Sequence, residues 1–200
     1  MSFRIEEKLY IKKGNLIEFQ EHLQKNSCKK LFHPRVIESL YFENNKLEMY
    51  TDSIEGLTPR KKIRIRKYPN DADKKLYYEV KNSSVEGRFK TRRIINASEY
   101  DNKKNSGILD NQYGICFPKL IVRYKREYSR IGDVRVSIDR DIEYINFDTN
   151  IKFKDERIIV ELKTNFKKNL DELANDFPYQ KIRFSKYCFG IQSLFNVVEN

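Results

Sequence analysis

The sequence predicts an α+β fold dominated by one antiparallel sheet. Three observations lead to this class. Short segments alternate between apolar and charged residues, turns containing Gly, Pro or Asn separate them, and few stretches have helical spacing. About eight strands are expected, and their succession as hairpins favours either a barrel or a strongly curled sheet. The 200 residues fit a single domain over residues 1–200.

The first predicted elements are a strand and a short helix. Residues 3–11 alternate between apolar and charged side chains, as a strand does. Asn15 with Glu18 three residues later has the pattern of a capping box, which predicts a helix starting there. The basic residues 26–36 are interpreted as an irregular connection.

Strands are predicted through most of the remaining chain, and helices at its end. The expected strands are residues 36–42, 60–68, 76–81, 88–95, 120–128, 133–139 and 158–163. Residues 47–52 are ambiguous and residues 96–116 are weakly patterned. Leu170, Leu173 and Phe177 have helical spacing, and Ser185 is predicted to be the N-cap of a last helix.

The densest positive charge lies in the strand predicted over residues 60–68. Lys62, Arg64 and Arg66 share one of its faces, while Ile63 and Ile65 take the other. Side chains two residues apart are about 7 Å from each other on a strand. That spacing suits regularly spaced phosphates, which guanidinium groups bind bidentately. A solvated strand face is the alternative interpretation.

Net charge, apolar runs and cysteine spacing limit the possible partners and the possible cellular compartment. The net charge of +11 favours an acidic partner, such as nucleic acid, an anionic membrane or a phosphate-rich molecule. No apolar run reaches the length of a membrane helix, and residues 1–8 do not have the apolar core of a signal peptide. A cytoplasmic chain is therefore expected. The three cysteines have no paired metal spacing and are expected to be reduced.

Charged residues recur on one face of the predicted strands. Some strands carry a Glu two residues before a Lys, namely Glu6/Lys8, Glu79/Lys81 and Glu161/Lys163. Others carry cations, namely Lys62/Arg64/Arg66, Lys90/Arg92, and Arg126 followed by Arg135. If these faces turn inward, they line a wet positive channel that needs an anion to offset its repulsion. A triphosphate with a bridging divalent cation would do so.

The order of these fragments resembles the triphosphate tunnel metalloenzymes and, within them, the VTC domain of polyphosphate polymerases. The resemblance runs from residue 4 to residue 187. Its fragments are Arg4-x-Glu6-x-Lys8, Ser39-Leu40-Tyr41-Phe42, Arg60-x-Lys62-Ile63-Arg64-Ile65-Arg66-x-Tyr68, Glu79-Val80-Lys81, Lys90-x-Arg92-Arg93, Tyr124-x-Arg126, Val134-Arg135-Val136, Glu161-Leu162-Lys163 and Phe184-Ser185-Lys186-Tyr187.

This resemblance implies an eight-stranded antiparallel β-barrel that forms a polar tunnel, with a few flanking helices that include a C-terminal helix. The catalytic cations it implies are Lys8, Arg64, Arg66, Lys81, Arg126, Arg135 and Lys186. Further substrate contacts would come from Lys62, Lys90, Arg92, Lys163, Arg183 and Ser185. Glu161 would hold Mn²⁺ or Mg²⁺, and Glu6 would either join it or pair with Lys8.

The implied activity is ATP-dependent polyphosphate synthesis, in which an acceptor chain attacks the γ-phosphate of ATP. Arg4 stands where the wider superfamily has its first Glu, which favours a polymerase over a triphosphatase. The expected partners are ATP or triphosphate and polyphosphate. With no transmembrane segment expected, polymer export would need a separate membrane partner.

Two other functions stay open from the sequence. The first is a triphosphatase that hydrolyses inorganic or nucleoside triphosphate in the same tunnel. The second is a basic polyanion-binding or RNA-binding domain, in which aromatic side chains among Arg and Lys would stack on bases. Nucleic acid is not the expected partner, because no RNP-like, zinc-finger or helix-turn-helix signature accompanies the charge.

Overall fold

The structure is a computed structural model that describes residues 4–165, 176–177 and 179–195. The helices in these residues are α1 (Leu16–Lys25), α2 (Glu48–Glu55), α3 (Ala97–Ser106) and α4 (Lys186–Leu194). The strands are β1 (Arg4–Ile11), β2 (Lys29–Glu43), β3 (Arg60–Lys67), β4 (Leu76–Ser84), β5 (Gly87–Ile95), β6 (Ile108–Asp110), β7 (Gly114–Ile131), β8 (Val134–Asn146), β9 (Lys152–Asp155) and β10 (Ile158–Asn165).

Hydrogen bonds order the main strands as β1-β10-β8-β7-β2-β3-β4-β5, with β6 beside β7 and β9 beside β8. The main path therefore holds the eight strands that the sequence predicts. The order ends at β1 and at β5, and the described residues of these two strands do not pair with each other. The antiparallel α+β class is confirmed, whereas closure of the sheet into a barrel is not shown.

The chain divides into two compact units. Among the described residues, unit 1 draws on those within 1–35, 124–142 and 155–184, and unit 2 on those within 36–123, 143–154 and 185–200. Strands β2, β7, β8 and β9 contribute residues to both units. None of the helices in the described part of the chain has the length and apolarity that a membrane crossing requires.

In unit 1, strands β1, β10 and β8 present an apolar face to helix α1. Leu9, Val136 and Val160 are fully buried in this core, together with Phe19 and Leu23 of α1. Because side chains alternate along a strand, the residues between these positions share the opposite face. The cross-strand neighbours on that face are Glu6 with Lys163, Lys8 with Glu161, and Glu161 with Ser137.

In unit 2, strand β3 is covered on both faces. Ile63 and Ile65 are 1% and 2% exposed on the apolar face, and Arg64 and Arg66 are only 7% and 9% exposed on the charged face. The solvated-strand interpretation of this segment is therefore wrong for the two arginines. Their cross-strand neighbours lie in β2 and β4.

Several local predictions need correction. Residues 29–35 belong to strand β2 rather than to an irregular connection. Strand β3 pairs with β2 only along residues 38–42 of β2. Pro34 lies before this stretch, where β2 needs no backbone N–H for pairing with β3. Asn15 makes no capping hydrogen bond to α1, which instead follows a 3₁₀ turn at Lys13–Asn15. Two short strands, β6 and β9, raise the total in the described residues to ten.

Two segments without a clear pattern form helices. In α3, the Asn96 side chain accepts a hydrogen bond from the Glu99 backbone N–H and caps the N-terminus. In α2, the buried Glu43 carboxylate accepts hydrogen bonds from the N–H groups of Met49 and Tyr50. The N-cap role of Ser185 is confirmed, because its hydroxyl accepts from the Cys188 N–H in α4. The helix predicted around Leu170 lies outside the described residues.

Candidate functional site

A cluster of cations surrounds one buried carboxylate on the polar face of unit 2. One Glu79 oxygen lies 2.7 Å from Nε of Arg64, and the other lies 2.5 Å from Nζ of Lys90 and 3.3 Å from Nε of Arg92. The Glu79 side chain is fully buried. Arg64 also donates to the Tyr41 hydroxyl at 2.8 Å, and Arg92 lies 3.7 Å from the Tyr77 ring centre. We call this set the Glu79 cluster.

Strand β3 connects this cluster to helix α4. Arg66 donates from Nε to the Ser39 hydroxyl at 3.1 Å. Lys62 donates from Nζ to the Ser185 hydroxyl at 3.0 Å, and its ammonium lies 3.4 Å from the Cys188 sulfur. Ser185 therefore caps α4 and holds a β3 lysine through the same oxygen. A helix N-terminus beside an ammonium group favours an anion.

The pKa shifts in the Glu79 cluster indicate a surplus of positive charge. Burial alone would raise the pKa of Glu79, but Arg64, Arg66 and Lys90 outweigh it and lower that pKa to about 2. The pKa of Lys90 is lowered by burial and by repulsion from Arg64 and Arg66. The attraction of Glu79 raises it but does not outweigh these effects. One carboxylate thus does not offset all the cations, and an added anion would be stabilised here.

The polar face of unit 1 has a second charged cluster, centred on Arg126. Its guanidinium donates to both carboxylate oxygens of Asp139, at 2.5 and 2.6 Å, and to Glu161 at 3.0 Å. The Asp139 side chain is fully buried and that of Arg126 is 12% exposed. Charge-assisted pairs of this kind fix the orientation of a guanidinium group.

Two lysines and two glutamates extend the Arg126 cluster along β1 and β10. Nζ of Lys163 lies 2.7 Å from Glu161 and 3.3 Å from Glu6. Nζ of Lys8 lies 4.0 Å from Glu6 and donates to the Phe184 carbonyl at 2.5 Å. Burial would raise the pKa of Glu161, but Arg126 and Lys163 hold it well below its ordinary value. This carboxylate is therefore ionised at neutral pH.

The remaining predicted site residues are more exposed. In unit 2, Lys81 is exposed and lies between Lys62 and Lys90 in the strand register, and Lys186 is half-buried at the start of α4. In unit 1, Arg135 is exposed beside Lys163, with its guanidinium 5.3 Å from the Tyr128 ring centre. Arg183 is exposed in the same unit. Their roles stay predictions.

The carboxylates predicted to hold a metal ion fit Mg²⁺ or Mn²⁺ only in part. The described residues hold no group of three or more His, Cys, Asp or Glu side chains suited to a metal ion. Glu161 and Glu6 nevertheless both contact the Lys163 ammonium. Mg²⁺ is often held by one or two carboxylates together with substrate phosphates. The pair fits such a shared ion.

Sequence reasoning missed Asp139. Asp139 lies on the same strand face as Arg135 and Ser137, so its side of the sheet was predictable. Its pairing with Arg126 depends on how the β7–β8 hairpin aligns, which spacing within one strand does not reveal. Tyr41 is both buried and bonded to Arg64.

The fold and site define an antiparallel-sheet protein with buried arginines and more exposed lysines on polar strand faces. A family model described as the VTC domain matches residues 3–195. The chain therefore belongs to the VTC domain family, which confirms the resemblance. No curated protein matches it.

Solved structures of low sequence identity share this fold. A Bacillus halodurans protein, a "putative adenylate cyclase", has a TM-score of 0.64 at 12% identity, covering 97% of this chain and 98% of its own. A conserved hypothetical protein from Pyrococcus furiosus has a TM-score of 0.59 at 16% identity, covering 93% and 99%. A Vibrio parahaemolyticus protein, also a "putative adenylate cyclase", has a TM-score of 0.57 at 12% identity, covering 94% of this chain and 98% of its own. At such identities the likeness shows the fold alone.

Proposed function

We propose that this protein is an ATP-dependent polyphosphate polymerase, which transfers the γ-phosphate of ATP to a growing polyphosphate chain inside a basic tunnel. Family membership supports an enzyme that acts on triphosphates. The observation that carries the finer proposal is the Glu79 cluster, where the buried Arg64 and the more exposed Lys90 and Arg92 surround a single buried carboxylate. Such a cluster is stabilised when a phosphate chain supplies the missing negative charge.

The chemistry is in-line phosphoryl transfer. The terminal phosphate oxygen of the acceptor chain forms a bond to the γ-phosphorus, the bond to the β–γ bridging oxygen breaks, and ADP leaves with that electron pair. The acceptor phosphate is already ionised, so little general-base catalysis is needed. Arg64 and Arg66 are suited to hold phosphate oxygens, because each is anchored by partners within the protein.

In unit 1, the Arg126 cluster is suited to hold a divalent metal ion. Glu161, with Glu6 as a second ligand, would hold Mg²⁺ or Mn²⁺, and a bound ion supplies neutralisation of charge on phosphate oxygens. Arg126 is fixed by Asp139 and Glu161, so its guanidinium needs no reorganisation when charge develops on a phosphate.

Hydrolysis of a triphosphate is the second candidate function. Asp139 favours hydrolysis, because a triphosphatase needs carboxylates to orient an attacking water. This carboxylate was not among the site residues predicted from the sequence. However, both Asp139 oxygens accept hydrogen bonds from Arg126. Asp139 is therefore better suited to orient Arg126 than to orient water, and the polymerase remains the preferred proposal.

Incubation with ATP and Mn²⁺, followed by a gel that resolves polyphosphate, tests this proposal. The wild-type protein is expected to give a ladder and Arg66→Ala is expected to abolish it. Arg93→Ala is the matched control, because Arg93 is exposed on the other face of β5 and pairs with Glu99. Orthophosphate release without a ladder would favour the triphosphatase. Tight binding of RNA without turnover would favour the polyanion-binding domain.

A further inference from the structure

A buried tyrosine in α4 links the helix to the end of β2. The Tyr187 hydroxyl donates a hydrogen bond to the Glu43 carboxylate, and the two residues are 2% and 0% exposed. Glu43 also accepts from the backbone N–H groups of Asn44, Met49 and Tyr50, at 3.0, 3.1 and 3.0 Å. The Tyr187 hydroxyl is thus hydrogen-bonded to the carboxylate that caps helix α2.

The same side chain contacts two residues of the polar face of unit 2. Its ring centre lies 5.1 Å from the Tyr41 ring centre and 5.1 Å from the Lys62 ammonium. Tyr41 in turn accepts the hydrogen bond from Arg64, and Lys62 donates to Ser185. Tyr187 therefore packs directly beneath one predicted phosphate-binding residue and supports the partner of another.

These contacts indicate more than core packing. An aromatic ring beneath an ammonium group stabilises its position through the ring quadrupole. The hydrogen bond to Glu43 fixes the position of the Tyr187 ring relative to Lys62, because a buried hydroxyl that moved away from Glu43 would lose its hydrogen-bond partner at a cost in free energy. Burial raises the pKa of Tyr187, and the neighbouring Glu43 raises it further, so the hydroxyl remains a donor at neutral pH.

We infer that Tyr187 is a positioning residue for triphosphate binding. Through its bond to Glu43, it holds Lys62 and the Tyr41–Arg64 pair in the arrangement that receives phosphate oxygens. The inference rests on the proposed function in so far as Lys62 and Arg64 contact the substrate.

The test compares Tyr187→Phe with Tyr113→Phe in the full chain, with calorimetric binding of inorganic triphosphate as the readout. Tyr113 is the matched control, because it is a buried tyrosine of the same unit that donates to the Asp52 carboxylate at 2.6 Å. Both variants lose one tyrosine–carboxylate hydrogen bond. Tyr187→Phe is expected to weaken binding about tenfold, which is about 1.4 kcal/mol, while Tyr113→Phe leaves it unchanged.

A double-mutant cycle with Lys62→Met separates positioning from a general loss of stability. If Tyr187 acts through Lys62, the two substitutions are less than additive for triphosphate affinity. Equal binding by Tyr187→Phe and Tyr113→Phe, or full additivity with Lys62→Met, would overturn the inference. Should Tyr187→Phe not fold, Glu43→Gln alters the same contact from the acceptor side.

The binding assay also distinguishes the inference from the proposed function. Wild-type protein that binds triphosphate but makes no polymer refutes the polymerase while leaving the role of Tyr187 to be decided by the variants. Wild-type protein that binds no triphosphate refutes both. Protein that makes polymer but shows no difference between the two tyrosine variants refutes only the inference.

Discussion

At the residue scale, the buried charges hold each other in place. Arg126 contacts two carboxylates that are 0% and 10% exposed, Asp139 and Glu161. Their mutual attraction offsets a large desolvation cost, so the cluster depends on all three members being present. The same holds for Glu79 among its cations.

Replacing Arg126 with Met should strongly destabilise the fold. The substitution leaves Asp139 buried without its guanidinium partner, which costs about 3–5 kcal/mol. Arg130→Met is the control, because Arg130 lies on the same strand with an exposed side chain paired to exposed Asp133 and should cost less than about 1 kcal/mol. Urea unfolding measures both. Equal losses from the two variants would contradict this description of the cluster.

The low pKa of Glu79 predicts that the free energy of unfolding decreases in a defined range of acidic pH. Because its pKa falls from 4.5 to about 2 on folding, its stabilisation is present above pH 4.5 and is lost as pH falls towards 2. Glu79→Gln should therefore lower the free energy of unfolding by about 3 kcal/mol at pH 7 and by much less near pH 2. A difference between wild type and variant that does not change with pH would disprove the ion-pair account.

Adjacent arginines on β5 should behave differently. Arg92 pairs with Glu79 and packs on Tyr77, whereas Arg93 pairs with Glu99 near α3. Arg92→Ala should weaken triphosphate binding severalfold and Arg93→Ala should not, because only Arg92 belongs to the Glu79 cluster. Calorimetry with inorganic triphosphate would show this, and equal effects would mean that the polar face of β5 has no special role.

At the element scale, α4 depends on close packing at one glycine. A Cβ at Gly190 would lie 2.6 Å from Cδ1 of Tyr144 and 2.7 Å from Cδ2 of Leu120. Ala normally favours a helix by about 1 kcal/mol over Gly, but here overpacking should cost about 1–3 kcal/mol.

Thermal unfolding of Gly190→Ala checks this expectation. The control is Gly14→Ala, since nothing lies within 4 Å of a Cβ at Gly14. We expect a lower midpoint for Gly190→Ala and little change for Gly14→Ala. An unchanged or raised midpoint for Gly190→Ala would mean that the packing around α4 is looser than the structure shows.

How far the elements could be predicted depended on local patterning. Strands such as β3 and β4 alternate clearly because one face is apolar, and these were found. Helix α2 was missed because the carboxylate that caps it, Glu43, belongs to the preceding strand. Helix α3 has no buried face, so its apolar spacing gives no signal, although Asn96 and Glu99 form a recognisable cap.

At the scale of the whole molecule, the sequence was sufficient to predict the fold class, the eight main strands and the family, but not the order of the strands in the sheet. Strand alternation also determines which charged residues share a face, so the charged faces could be predicted from the sequence. It could not predict the ion pairs themselves. Arg126 with Asp139, and Glu79 with Lys90 and Arg92, depend on registers between strands.

The central claim is that the γ-phosphate of ATP passes to a phosphate acceptor rather than to water. The most direct measurement follows ATP labelled at the γ-phosphorus, with the full chain and Mn²⁺, into polymer and orthophosphate. We expect label in polyphosphate, with ADP formed in equal amount and with loss of transfer in Arg66→Ala. Label recovered solely as orthophosphate, at every acceptor concentration, would contradict it.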